Sequence, residues 1–443
     1  MSKRHPPGPD GLPVIGNVLP VTRNPFEFFA DCAATYDDVV YVPSVGTDLY
    51  LLTHPDFVKQ VLVTDRRKFE KPDIVQRKLR SVFGNGLLVS EGKFWKRQRN
   101  LIQPAFTPDR LEEYVSVMRE CAQARVESWE AGETYDVQHE MESLALRILV
   151  DSMFGTDLDY DAAGIGDAVR GLFEKFRSPT YLLVPDWVPT PKNRRYQRSV
   201  EHLESIVDDL VEECRQQGDE QDHLLARLVA ARTDEGVGMS DETLRDEMMN
   251  MLLAGHETSA VSLTCTWYLL SENPRVRRKL QAELDEVLGG RPPTVEDIPD
   301  LEYTEKVINE SLRLYPPVFS IPREPQADVE IGGYRVPEGS VCSLSAWAVH
   351  RDDRWYDDPE EFRPERWNDD GEADAPEYAY FPFGAGARKC VGQQFELLEA
   401  QVVVATVLQS FELDAVAGEQ LDITATGFTL QPTGGVEMTA RRP

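Results

Sequence analysis

Helical periodicity through the middle of the chain limits the fold more than any other feature of the sequence. Apolar residues return every three or four positions among charged ones, which is the pattern of helices that bury one face. The pattern covers residues 111–125, 144–154, 196–215, 241–271 and 303–314, and a last helix is predicted from about residue 391 to residue 410. The sequence therefore predicts a mainly α-helical protein.

Short β-like segments lie near both ends of the chain. They are residues 39–42 and 48–52, which form a predicted hairpin, then residues 329–331, 334–336 and 341–348, and an extended tail after the last helix. Because these strands come from opposite ends, we predict a small β region and one interleaved domain over residues 1–443. No reductase segment is expected in this chain.

The charge balance excludes some partners. Asp and Glu number 77 against 47 Lys and Arg, which gives a formal net charge of -30. Such a surface repels nucleic acid and anionic membranes. Since the acidic residues recur along nearly the whole chain, we hypothesise adaptation to a high-salt cytoplasm, where ~1 M salt shortens the Debye length to roughly 3 Å. The alternative is an ordinary acidic protein.

Cysteine spacing and hydropathy indicate a cytoplasmic location. The six cysteines are widely spaced and include no CxxC pair, which favours reduced thiols over disulfides or a zinc site. The N-terminus runs through Pro6-Pro7-Gly8-Pro9 without a signal-like apolar segment, and no later segment offers the ~20 apolar residues of a spanning helix. We expect no membrane anchor.

A glycine-rich loop that closes on a cysteine is the sharpest local motif. It runs from Phe383 to Gly392 and ends with Arg388, Lys389 and Cys390 just before the last helix. Glycines permit close approach of another body, and a cysteine beside positive charge at a helix start favours its thiolate. Cys390 is therefore a candidate nucleophile or metal ligand, the alternative being a small buried apolar residue.

This loop matches FxxGxRxCxG and resembles the haem-binding signature of the cytochrome P450 family. The resemblance implies the P450 fold and a haem b (iron protoporphyrin IX) cofactor whose iron is ligated by the Cys390 thiolate, which favours O–O cleavage. It also implies that Phe383 packs near the sulfur and that Arg388 binds a haem propionate. Two further family elements implicate Trp95 with Arg99, one helical turn apart, and Arg323 as propionate ligands.

Two more motifs agree with the resemblance. Glu310 and Arg313 match the family's ExxR pair, and Arg366 matches the arginine of its PER motif, which implies a buried structural triad. Taken alone, the first two would be an exposed helical ion pair.

Residues 254–259, AGHETS, resemble the family's oxygen-activation motif. The resemblance implies that Gly255 lets the helix open, that Thr258 hydrogen-bonds dioxygen at the haem, and that Glu257 relays protons. Without it, a surface Glu and a back-bonding Thr would be preferred.

These motifs together imply a monooxygenase that inserts one atom of O2 into a lipophilic substrate by hydroxylation or epoxidation. By resemblance, Ala254, Val318, Phe319 and Phe428 are expected near the substrate, and residues 181–187 near its entrance. Fatty acids, terpenoids and carotenoids all fit. The alternatives are a peroxide-driven peroxygenase on the same fold and a non-catalytic haem carrier or sensor.

Electrons are expected from a separate ferredoxin or flavodoxin with its reductase. Residues 59–110 are rich in Lys and Arg, and such a basic segment suits an acidic protein or the edge of an anionic cofactor, the alternative being an ordinary solvated face. The resemblance places the face around Lys93, Lys96, Arg97 and Lys389 on the cysteine side of the haem, where electron donors dock.

The net charge gives a first testable prediction. Molar salt screens repulsion among the acidic side chains, so the melting temperature of the protein should rise along a NaCl series. Melting temperatures that stay flat across the series would exclude the high-salt hypothesis.

Overall fold

The computed structural model describes residues 5–156, 163–176, 188–217, 223–230, 239–368, 375–418, 420–427 and 429–443. The chain forms two compact units, each built from separate stretches. The sheet unit comprises Met1–Arg77, Asn309–Cys390 and Ile423–Gln431, and the helical unit comprises Lys78–Ile308, Val391–Asp422 and Pro432–Pro443. That the chain acts as one domain stays a prediction.

Helices dominate the described residues, as the periodicity predicts. The α-helices are α1 Val18–Arg23, α2 Pro25–Thr35, α3 Pro55–Lys59, α4 Asp73–Phe83, α5 Gly92–Ile102, α6 Pro108–Glu127, α7 Val137–Phe154, α8 Ile165–Phe176, α9 Pro191–Gln217, α10 Leu224–Ala230, α11 Asp241–Glu272, α12 Pro274–Val287, α13 Glu302–Leu314, α14 Ala346–Val349 and α15 Gln393–Leu408. The strands are β1 Val39–Val42, β2 Leu49–Leu52, β3 Phe69–Glu70, β4 Thr134–Asp136, β5 Ser320–Pro325, β6 Val329–Ile331, β7 Tyr334–Val336, β8 Val341–Ser345, β9 Glu412–Ala415, β10 Ile423–Thr426, β11 Thr429–Pro432 and β12 Glu437–Arg441.

The helical unit is organised around α11, which is 32 residues long. The helix starts at a Ser240 cap, whose hydroxyl accepts the Thr243 N–H at 3.2 Å, and it ends at Asn273 before Pro274. It packs on α7, α9 and α15 and is buried on several sides. The predicted long helix over residues 241–271 is therefore confirmed, and it is the central element of this unit.

A five-stranded sheet in the order β1-β2-β8-β5-β3 organises the sheet unit. β1 and β2 form the predicted hairpin, and β2 pairs in parallel with β8, with Leu51 opposite Ser343. The prediction that the last of these strands extends to Ala348 is wrong. The strand ends at Ser345 because its hydroxyl accepts the Ala348 N–H at 3.1 Å and caps α14.

Within the part of the chain that the structure describes, no helix combines the length and the apolar composition that a bilayer crossing requires.

A buried ion cluster lies in the sheet unit where α13 meets the turn Pro364–Trp367. The Glu310 carboxylate accepts hydrogen bonds from Arg313 at 2.8 and 2.9 Å and from Arg366 at 2.8 Å. The Arg363 N–H at 3.0 Å and the Trp367 indole at 3.1 Å complete its shell. Glu310 and Arg313 are fully buried, so the exposed ion pair considered for them is excluded. The cluster joins segments far apart in sequence.

Removing this carboxylate should destabilise the protein strongly. Glu310→Ala leaves two buried guanidinium groups without their anion, a change that typically costs about 3–5 kcal/mol. Denaturant unfolding of the purified protein measures the loss. Asp167→Asn is the control, because it removes the anion of an exposed pair with Arg170 and should change stability little. Equal effects of the two substitutions would contradict a structural role of Glu310.

Candidate functional site

The cysteine loop is shaped by glycines with left-handed backbone. Gly384 and Gly386 have φ of 69° and 65°. A Cβ on Gly386 would lie 2.3 Å from the Leu62 carbonyl oxygen, so only glycine fits there. The loop then turns back on itself, because the Cys390 N–H donates to the Phe383 carbonyl at 3.0 Å. Cys390 is exposed, whereas the other five cysteines are buried. The cysteine chosen from the sequence is thus the one that a ligand can reach.

A chain of hydrogen bonds connects this loop to the Glu310 cluster. Arg313 donates to the His350 carbonyl at 2.7 Å, and His350 Nδ1 lies 3.3 Å from the Arg313 carbonyl. His350 Nε2 accepts the Phe381 N–H at 3.0 Å, and the Phe381 carbonyl accepts the Gly384 N–H at 2.9 Å. Burial lowers the pKa of His350 to about 3, so the ring stays neutral and Nε2 remains an acceptor. The buried ions thereby hold the start of the cysteine loop.

Three cationic side chains converge in the sheet unit beside the cysteine loop. Arg388 belongs to the loop and Arg323 to β5, and both are half-buried. Lys71 directly follows β3. The register of β3 with β5 sets Phe69 opposite Pro325 and Glu70 opposite Glu324. Continued by one residue, this register sets Lys71 opposite Arg323. The sheet pairing therefore explains why residues distant in sequence meet.

Burial and neighbouring charges shift the pKa values of these side chains. Burial, Arg388 and Arg323 lower the pKa of Lys71 to about 6. Burial lowers the pKa of Arg323 and of Arg388 to about 10, and the Glu70 carboxylate opposes the shift at Arg388. Partly desolvated like charges raise the free energy of the protein unless an anion binds them. Paired guanidinium and ammonium donors suit carboxylates. This cluster is chemically suited to the carboxylates of a haem, and the binding of propionates by Arg388 and Arg323 stays a prediction.

Lys71 is a candidate site residue that the sequence analysis missed. Its signal was present only as one lysine in the basic stretch of residues 59–110, a stretch that suits an acidic protein or an anionic cofactor edge. The pairing of β3 with β5 distinguishes Lys71 from the exposed Lys68, which pairs with Asp65 at 3.1 Å.

The motif of residues 254–259 lies on an unbroken stretch of α11 in the helical unit. Thr258 Oγ1 donates to the Ala254 carbonyl at 2.8 Å, the back-bonded arrangement considered above. A Cβ on Gly255 would lie 3.0 Å from a Leu149 methyl group of α7. Close packing of α7 therefore accounts for the glycine, while the expected opening of the helix is not seen. Ala254 is exposed although most of its neighbours on the helix are buried.

The other predicted residues are placed as follows. Trp95 and Arg99 lie one turn apart on α5 of the helical unit, and both are half-buried. In the sheet unit, Val318 is half-buried beside Thr429 of β11. Phe319 is 2% exposed, and its ring lies 4.8 Å from that of Phe26, so it packs in the core of this unit. Its contact with a substrate stays a prediction. Phe428 and the expected entrance segment 181–187 lie outside the described residues.

Comparison with known proteins gives a consistent result. A family model described as cytochrome P450 matches residues 6–437. The chain is 37% identical to cyclooctat-9-en-7-ol 5-monooxygenase of Streptomyces melanosporofaciens, over 93% of this chain and 90% of that protein. It is 33% identical to pentalenene oxygenase of Streptomyces avermitilis, over 98% and 97% of the two chains. A retinoic acid bound cyanobacterial CYP120A1 has the same fold, with a TM-score of 0.90, 24% identity and complete coverage of both chains.

The cation cluster predicts a specific loss of cofactor. Lys71→Met removes a charge-assisted bond, typically worth about 1.5–3 kcal/mol, so haem should leave roughly 10–100-fold faster. Transfer of haem to an excess of apomyoglobin measures the rate. The red-shifted Soret band of the reduced carbon monoxide form should persist in this variant, because Cys390 is intact, and it should disappear in Cys390→Ser.

Lys68→Met is the matched control, since it removes an exposed lysine of the same unit. Haem loss that is equally fast in both lysine variants would contradict the assignment of Lys71.

Proposed function

The chain belongs to the cytochrome P450 family and is a haem-thiolate monooxygenase, and we propose that it oxidises a cyclic terpenoid with Cys390 as the iron ligand. Bound haem supplies the reductive splitting of dioxygen, with one oxygen atom for the substrate. The observation that carries the substrate class is the match to two terpene-type oxygenases over more than nine-tenths of this chain. These two relatives are named for a cyclic alkenol and for pentalenene, so we favour a terpenoid over a fatty acid or a carotenoid.

Four cationic groups and one indole are the proposed holders of the haem carboxylates. Lys71, Arg323 and Arg388 converge in the sheet unit. Burial, together with Arg388 and Arg323, lowers the pKa of Lys71, and carboxylates bound there would raise it again. Trp95 and Arg99 of α5 present an N–H group and a guanidinium one helical turn apart. Phe383 is proposed to shield the Cys390 sulfur, which sets the basicity of the thiolate.

Glu257 and Thr258 are the proposed proton-handling residues. Glu257 is half-buried, so its carboxyl can exchange protons with solvent. The Thr258 hydroxyl donates to the Ala254 carbonyl, and this bond leaves the lone pairs of Oγ1 able to accept a proton donor. In this proposal, Glu257 delivers protons and Thr258 Oγ1 directs them toward bound dioxygen.

The electron donor is proposed to be a separate acidic ferredoxin or flavodoxin in the cytoplasm. Lys93, Lys96 and Arg97 are exposed on α5 of a protein whose net charge is -30. Such a local basic face attracts an acidic protein while the rest of the surface repels it. A high-salt cytoplasm is the proposed setting of that acidic surface.

Substrate binding tests the terpenoid proposal directly. A substrate that displaces water from the haem pocket should convert the oxidised haem from low spin to high spin, which shifts its Soret band to shorter wavelength. We expect this shift with cyclic terpene alkenes and alkenols, and none with fatty acids of similar carbon number. A shift with fatty acids alone would overturn the substrate class and leave the monooxygenase assignment intact.

Substitution of Thr258 tests the proton path. Thr258→Ala should fold, bind haem and accept electrons, but consume NAD(P)H while releasing hydrogen peroxide in place of oxidised product. Glu257→Gln should slow turnover, because general acid–base groups typically contribute 10²–10⁴ in rate. The assay is product formed per NAD(P)H oxidised in the presence of a redox partner, with peroxide measured in parallel.

Thr264→Ala serves as the control for this test. Thr264 also lies on α11 and donates to the carbonyl four residues earlier, at 2.7 Å, but it is fully buried away from solvent. Thr264→Ala should leave the coupling, which is the product formed per NAD(P)H oxidised, unchanged. Coupling that is equal in Thr258→Ala and wild type would remove Thr258 from the mechanism, and activity with added peroxide but not with donor electrons would favour a peroxygenase.

A further inference from the structure

Two carboxyl groups face one serine inside the helical unit. Glu396 and Glu399 lie one turn apart on α15, and Ser259 of α11 is hydrogen-bonded to both. Ser259 Oγ lies 2.9 Å from Glu399 Oε2 and makes an even closer contact with Glu396 Oε2. Ser259 is 3% exposed and Glu399 is 1% exposed. Neither the family motifs nor the proposed mechanism uses the two glutamates.

Hydrogen counting bears on the protonation of this group. A serine hydroxyl carries one hydrogen, and an ionised carboxylate can only accept. The single Ser259 hydrogen cannot serve both contacts at full strength. A neutral carboxylic acid at Glu396 or Glu399 would supply the second hydrogen, which favours a proton in this group.

An unsatisfied oxygen supports the same conclusion independently. Among the described residues, Glu399 Oε1 is buried and has no hydrogen-bond partner. A buried carboxylate with a bare oxygen is costly, whereas a protonated carboxyl carries no net charge. Burial raises the pKa of Glu396 to about 7, and burial together with the charge of Glu396 raises the pKa of Glu399 well above its ordinary range.

Among the described residues, the helices packed most closely on α15, which are α6 and α11, supply no cation that shifts the pKa of either glutamate. From α11, burial lowers the pKa of His256 to about 4, so it is uncharged at neutral pH. From α6, Tyr114 packs its ring on Phe395, and burial raises its pKa. Three arginines of α6 form ion pairs with other residues: Arg110 with Glu113, Arg119 with Glu120 and Arg125 with Glu140. Burial, mutual repulsion and serine hydroxyls therefore govern the pair.

We propose that Ser259, Glu396 and Glu399 form a proton-holding cluster that positions Thr258. Ser259 directly follows Thr258 on α11, and α15 starts three residues after Cys390 in the chain. While the shared proton is present, the three side chains join α11 to α15 and fix the rotation of the turn that carries Thr258. When the proton is lost to solvent, two adjacent carboxylates repel each other and the contact between the helices loosens. The three residues are positioning residues for the proposed proton path.

Infrared spectroscopy of the haem-loaded protein tests the proton directly, without any assay of activity. At pH 7 we expect a carbonyl stretching band of a protonated carboxyl group that shifts in D2O. Glu396→Gln, Glu399→Gln and the double variant should lose intensity in this band, whereas Glu112→Gln, on the exposed face of α6, should not. Glu247, whose pKa burial raises to about 7, contributes a band that persists in all of these variants. Spectra unchanged by the double substitution would overturn the proposal.

The pH dependence of stability gives a second arm. The pKa of Glu396 is 4.5 in an ordinary environment and about 7 in the fold, so the unfolded chain ionises first. The contribution of Glu396 to the free energy of unfolding is therefore fully present below pH 4.5, falls as the pH rises to about 7, and changes no further above that pH. The unfolding constant should rise on the order of 10²-fold across that interval through this group. Glu396→Gln should remove this component, and a pH slope equal to that of Glu112→Gln would contradict it.

Catalytic coupling gives the third arm, which rests on the proposed monooxygenase function. Product per NAD(P)H should fall in wild type as pH rises above 7, and it should stay high in Glu396→Gln, because the amide mimics the protonated acid. Ser259→Ala should uncouple at every pH, like Thr258→Ala. Parallel pH profiles of wild type and Glu396→Gln would refute positioning. If no product forms from any substrate while the infrared and stability arms succeed, the proposed function fails and the proton cluster stands.

Discussion

Glu310 holds a negative charge where water cannot solvate it, and the arrangement of the cysteine loop depends on how that charge is satisfied. Two arginines, an indole and a backbone N–H surround the carboxylate. Arg313 extends the network to His350, and His350 fixes the Phe381 N–H at the start of the loop. Since a buried ion pair contributes little net stability, its value here lies in fixing one geometry.

Each unit buries a group of like side chains, which are basic in the sheet unit and carboxylic in the helical unit. In the sheet unit, the burial of Lys71, Arg323 and Arg388 beside one another costs free energy that a bound anion would offset. In the helical unit, Glu396 and Glu399 avoid a comparable cost by keeping a proton. A bound anion would therefore relieve the basic group, and a retained proton relieves the acidic one.

Motifs that are contiguous in the sequence made much of the candidate site predictable. Residues that only the pairing of distant segments brings together could not be predicted. Cys390 stands out because its glycines and basic neighbours are adjacent in sequence, and helical periodicity located α11 to within a residue or two. Lys71 could not be distinguished from Lys68, since only the pairing of β3 with β5 brings it to Arg323. Glu396 and Glu399 look like a solvated pair until Ser259 is found between them. The end of β8 was missed because a capping serine also suits a strand.

The cation cluster also links the stability of the folded protein to the supply of haem. Burial of Lys71, Arg323 and Arg388 beside one another costs free energy, and an anionic ligand that binds only the folded form stabilises that form increasingly as its concentration rises. Chains made while haem is scarce would open more often and meet proteases more often. The fraction of copies that escape proteolysis would therefore rise with the supply of haem.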